Sequence, residues 1–261
     1  MIGGHPRLGF AVIGGVLVAL AAVGGLVATA GGGARSADTL TYEAATAPGT
    51  LAGPAAADGN TTSRGGTRSP VTTPVVDPAW AARVGSAVGV PATAMAAYGG
   101  AELRMSRTQP GCHLSWNTLA GIGWVESHHG TIGDRVLEAD GTSTPAVIGP
   151  ALDGQGFAAI RSTPESTSWH GDPTWEHAVG PLQFIASTWE KWGSDGDSDG
   201  VADPMDLDDA AWTAARYLCA DAHDLSTVDG WNAAVHSYNH DNTYVANVAA
   251  AANTYAERAA G

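Results

Sequence analysis

Hydrophobic and polar positions divide the chain into three stretches. From Leu8 to Ala30 the sequence LGFAVIGGVLVALAAVGGLVATA carries no charge. Gly31 to about Val76 is rich in Ala, Gly, Thr, Ser and Pro and has no apolar period. Such a composition buries too little surface to offset the entropy of ordering it. From Asp77 onward apolar residues recur at helical spacing. Asp77-Pro78 opens a first helix, with proline at the first helical position. A second opens at Pro91 and carries Met95, Tyr98, Leu103 and Met105, with Gly99-Gly100 weakening its middle. Ser115 caps a third, on which Leu119, Ile122 and Glu126 share one stripe. Residues 130–175 lose this period and are rich in Gly, Pro, Asp and Thr, which predicts a long loop region with a short hairpin. Helical pattern returns over Pro181–Trp192, Leu207–Ala222, Trp231–Tyr238 and Tyr244–Arg258. The expected fold is mostly α, one helical domain with a loop-rich or small β insert.

Position gives the first stretch its meaning. His5 and Arg7 precede the apolar run, and small residues follow it at Ala28-Thr29-Ala30 and again from Ala34 to Ala37, the layout of a secretory signal. The run also has about the 20 residues needed to span a bilayer, so a retained anchor is the alternative. The chain is thus read as an export segment over 1–37, a flexible tether over 38–76 and a folded domain over 77–261. That domain is expected outside the cytoplasm, secreted or in the cell wall, with membrane attachment through the N-terminus if the leader is kept. Cys112 and Cys219 are the two cysteines, and an even pair in an exported protein reads as one disulfide, with two buried thiols as the alternative. Twelve Lys and Arg against 26 Asp and Glu leave a formal charge of −14. That balance argues against a nucleic-acid partner, which needs a basic face, and suits divalent cations.

Four constellations carry candidate chemistry. In Gly121-Ile122-Gly123-Trp124-Val125-Glu126-Ser127-His128-His129-Gly130, Glu126 continues an apolar stripe and is expected to be desolvated. Burial raises a carboxyl's pKa, and a glutamic acid kept protonated can protonate a glycosidic oxygen. Trp124 offers a face for a sugar ring; an ordinary helix-end glutamate is the alternative. His128 and His129 lack the i, i+4 spacing of zinc proteases and are read as bonding the local backbone or lining a cleft. The second constellation, Thr174 to Phe184, places Gln183 in the first turn of a helix opened by Gly180-Pro181, where its amide can bond a ligand, with Phe184 beside it. In the third, carboxylates fall at positions 1, 3, 5, 9 and 12 counted from Asp195 (Asp195, Asp197, Asp199, Asp203, Asp206), with Gly200 at 6 and Val201 at 7. This is the pattern of an EF-hand calcium loop between helices, and a structural calcium ion is the expected ligand. Asp206 stands where glutamate is usual, and a solvated acidic loop is the alternative. The fourth is Ser237-Tyr238-Asn239-His240 at a helix end, followed by Tyr244-Val245.

The order GIGWVESHHG, TWEHAVGPLQFIASTW, DGDSDGVADP, AARYLC and AVHSYN resembles the lytic murein transglycosylases of the membrane-bound B type, in their exported branch with a cysteine pair. The resemblance covers nearly all of residues 77–261. It implies an α+β lysozyme-like fold acting as a monomer on peptidoglycan glycan strands. It further implies lytic cleavage between N-acetylmuramic acid and N-acetylglucosamine, with Glu126 as acid then base and no cofactor in catalysis. Thr174, Gln183, Phe184, Tyr238 and Asn239 match positions that bind substrate, with Trp124 and Ser127 beside the acid; the acidic loop matches the family's cation site, and Cys112 and Cys219 its cysteine pair. Glu176-His177 stands where Asp-Arg is more usual, and Ser162-Thr163-Pro164-Glu165 lacks the expected aspartates. Two rivals remain: a hydrolytic muramidase drawing a second carboxylate from Asp134, Asp153 or Asp172, and a wall-binding module without activity.

Overall fold

The computed structural model describes residues 75–261. The stretches read as an export segment and a tether, up to residue 74, lie outside the described residues. Val76, read as the end of the tether, is already buried in the same core as Trp80. Asp77 accepts a hydrogen bond from the Ala79 N–H and starts α1 (Pro78–Val88), which stops where Gly89 turns left-handed. The next helix, α2 (Ala92–Thr108), runs unbroken through Gly99-Gly100. A Cβ on Gly99 would lie 2.9 Å from the Trp80 ring, so the missing side chain makes room for α1. Ser115 precedes α3 (Trp116–Ser127), which packs between α2 and the last helix, α8 (Asn242–Ala260).

The insert folds as two antiparallel pairs, β1 (Val136–Leu137) with β2 (Ser143–Thr144) and β3 (Ile148–Ala151) with β4 (His177–Val179). Between β3 and β4 lies α4 (Pro164–His170), opened by Thr163 and Ser166 bonding each other's backbone N–H. This helix was not expected, because its capping pair has serine where glutamate or glutamine is the usual mark. A small apolar cluster of Leu152, Ala178 and Ile185 holds the insert.

Helices α5 (Ala186–Trp192), α6 (Leu207–Leu218) and α7 (Val228–Tyr238) complete the domain with α8. The fold is mostly helical and lysozyme-like, with few short strands. Among the described residues no helix is long and apolar enough to cross a membrane. Cys112, in a 3-10 turn after α2, and Cys219, just past α6, form a disulfide with Cα atoms 5.5 Å apart across 107 residues. Gln109 Nε2 donates to the Cys219 carbonyl and the Leu225 N–H to that of Cys112, so the bridge is seated in backbone bonds.

Candidate active site

Helix α3 ends at His128, whose left-handed φ of 52° lets its N–H fold back onto carbonyls of the last turn. Glu126 lies within that turn and is fully buried. Burial drives its pKa up to about 8, against a smaller lowering by the Tyr244 hydroxyl, which donates to Oε1 at 2.7 Å. The helix C-terminus, its negative end, disfavours the carboxylate in the same sense. Oε2 makes no hydrogen bond. A buried oxygen left so costs about 1–3 kcal/mol, and it is the oxygen of this carboxyl still open to a hydrogen bond.

Gln183 does not begin a helix. Gly180 has φ 74° and Gln183 φ 52°, and Val179 and Phe184 pair across the turn between them. This tight turn is held from two sides: Ser127 Oγ donates to the Pro181 carbonyl at 2.6 Å, and Tyr238 Oη to that of Leu182 at 2.9 Å. Gln183 Nε2 bonds the Gly180 carbonyl, while its buried Oε1 has no partner. Tyr238 stacks on Tyr244 (6.5 Å, 6°), and burial raises both phenols well above their ordinary range, with Glu126 adding to it. Glu126, Ser127, Gln183, Tyr238 and Tyr244 therefore form one buried assembly from α3, the 180–184 turn, α7 and α8. Asn239 caps α7 at its edge. Phe184 is a core residue, packed edge-on against Trp189 and Tyr238.

Two residues named with this group lie elsewhere. Thr174 is exposed on the insert, where its N–H is held by Asp172 Oδ1. Trp124 is 44% exposed, stacks on His128 (4.1 Å, 22°) and lines a groove of about 780 Å³ along α3 and α8. That groove meets the assembly at Tyr244. His129 is buried between the hydroxyls of Tyr98 (3.1 Å) and Tyr255 (2.9 Å). Its pKa falls to about 3, through burial first and then His128, so the ring is neutral and gives one nitrogen to each tyrosine.

In the acidic loop, side-chain oxygens of Asp195, Asp197 and Asp209 lie within 4.8 Å of one another. Asp206 instead caps α6 by accepting from the Asp208 N–H. Asp209, three residues beyond that cap, turns back and accepts from the N–H groups of Gly196 and Asp203. Burial raises its pKa, with Asp197 and Asp195 adding to the rise. Asp199 and Asp203 bond the N–H groups of Val201 and Met205, and Val201 is exposed. Sequence reasoning missed Tyr244 and Asp209; the spacing of Asp209 from the helix cap was the available signal for the second.

Residues 160–258 match the family model of the Transglycosylase SLT domain. No curated protein and no solved structure matches the chain. The matched stretch contains Thr174, Gln183, Phe184, the acidic loop, Tyr238, Asn239 and Tyr244, and Glu126 lies upstream of it. The match supports a lytic-transglycosylase-like family with peptidoglycan as substrate, and an extracytoplasmic setting.

Proposed function

We propose that the protein is a peptidoglycan lytic transglycosylase in which Glu126 acts as acid and then as base on the bond between N-acetylmuramic acid and N-acetylglucosamine. The observation that carries this reading is a buried carboxyl, protonated at neutral pH, that keeps Oε2 without a bond; Gln183 Oε1, on the turn held by Ser127 and Tyr238, is likewise unpaired. Tyr244 occupies Oε1, so the proton of the neutral acid belongs on Oε2. From there it passes to the glycosidic oxygen as the C1–O bond breaks. The substrate's own acetamido oxygen steadies the positive centre, which is why no second carboxylate is required. The Glu126 carboxylate then takes the proton of the muramyl 6-hydroxyl as that oxygen closes on C1, leaving a 1,6-anhydro end and consuming no water. Gln183 Oε1 is suited to accept an N–H or O–H of the sugar, and Tyr238 and Asn239 hold the turn and the edge of the site.

The second element of the reading is a structural calcium ion held by Asp195, Asp197 and Asp209. Three carboxylates drawn together, one of them the buried Asp209, suit a hard divalent cation. The ion would pin the loop to α6 and take no part in the chemistry.

Glu126→Gln tests the function. Turnover of purified peptidoglycan is expected to fall by about 10³-fold, within the usual range for a lost general acid, while cosedimentation with the insoluble polymer persists. Mass spectrometry of the wild-type digest should show anhydro ends. Reducing ends would convert the reading to a muramidase, and unchanged turnover in Glu126→Gln would refute the assignment of the acid.

A further inference from the structure

The groove that takes Trp124 away from Glu126 has features of a site in its own right. Ala250 and Ala251 of α8 and Val125 of α3 contribute apolar lining to it. Trp124 stands at one wall, 44% exposed yet held in orientation by its stack on His128. A large apolar face kept open and rigid is suited to the carbon–hydrogen face of a pyranose ring. Around it stand groups that bond hydroxyls and amides: Thr243, Asn247 and Thr254 along α8, and Arg258, which spends one N–H on the Val88 carbonyl and retains others. An apolar lining with a few converging polar groups, at about 780 Å³, is the ordinary make-up of a small-ligand site.

The groove is separate from the acid but not remote from it. Glu126, Gln183 and Asn239 do not line it, whereas Tyr244 does, and the same Tyr244 hydroxyl bonds Glu126. On a helix, Trp124 projects from the side opposite Glu126, two residues further on, and the left-handed turn at His128 lets its ring stack on Trp124. Trp124 and His128 thus face the groove while Glu126 faces the buried assembly.

We propose that this groove is a second saccharide-binding site, which holds an N-acetylated stretch of glycan outside the catalytic assembly. The chemical class of its ligand rests on the peptidoglycan reading above; the groove itself does not. Tyr244 makes it a neighbour of the acid, so a strand seated there would be kept beside the site that cuts it.

The test uses the full chain carrying Glu126→Gln, so that ligand survives, and a tetramer of N-acetylglucosamine as probe. The indole N–H signal of Trp124, assigned in NMR spectra by its loss in Trp124→Ala, is expected to shift on titration. The shift should persist in Gln183→Ala, which alters the catalytic side, and need at least threefold more tetramer in Asn247→Ala, an exposed position. A Trp124 signal that stays still at saturating tetramer, or a shift that disappears with Gln183→Ala alone, overturns the proposal. The function fails by a different result, the absence of glycan cleavage by the wild-type chain; cleavage with a silent Trp124 signal would sink only the groove.

Discussion

A carboxyl group that is neutral when the protein is folded and ionised when it is not ties activity and stability to the same proton. Glu126, at a pKa of about 8, is the acid form below that value, so the rate should fall as pH rises past it. The stability argument runs in the same direction. A raised folded-state pKa means the native state holds the proton between the unfolded value, 4.5, and about 8, so the contribution of this group to stability is full below 4.5 and is lost as pH rises to about 8. Glu102 contributes likewise: burial raises it to about 8, against a lowering by the Trp116 N–H, which bonds Oε2 at 2.6 Å at the start of α3. Asp206, raised to about 7, and Asp208, raised to about 6, act in the same sense, and Glu126→Gln removes one group from this set. Its unfolding free energy should therefore decline less steeply with pH, by up to about 1.4 kcal/mol per unit over that window, measured by urea melts at several pH values. Parallel slopes in both proteins would show Glu126 ionised when folded. The burial of Glu126 was legible in its place four residues after Ile122 on an apolar stripe. Its bond to Tyr244 was not, because the two are 118 residues apart and nothing local links them.

Among the elements, α3 carries the tightest constraint. A Cβ on Gly123 would collide with the Tyr98 hydroxyl and lie 3.2 Å from His129 Nδ1. Gly123→Ala is thus expected to lower stability by about 1–3 kcal/mol, the usual cost of overfilling a core, although alanine favours a helix. A denaturation midpoint equal to the wild type's would contradict this packing. The acidic loop makes a comparable demand on α6. If calcium joins Asp195 and Asp197 to Asp209, chelation should lower the melting temperature and added calcium restore it, with neither response in Asp209→Asn. A metal-free sample that melts with the holo sample would remove the ion from the picture. Element limits were readable where the backbone signal is local, as at Asp77-Pro78 and Ser115. They were misread at Gly180-Pro181, which looks like a helix opening. There the Gly180 N–H is taken by the Val147 carbonyl and Val179 pairs with Phe184, contacts that turn the segment into a hairpin.

At the scale of the molecule, the helices enclose one core that reaches from Val76 to Tyr255, and the insert adds a smaller one. The helical class and the weak period of the insert could be read from the chain, since both follow from where apolar residues recur. The pairing of β3 with β4 could not, because the partners lie far apart in sequence and α4 stands between them. The disulfide has a consequence that follows from its span alone. Residues 113–218, which include all four strands and the exposed loops around Gly154 to Gly156, lie between its two cysteines. A protease that nicks one peptide bond in that interval would leave both pieces covalently joined. On a non-reducing gel such a sample should migrate as one band and separate into two only after thiol treatment. Damage of this kind, which would dismantle a protein without the bridge, would leave the halves side by side with their burial intact.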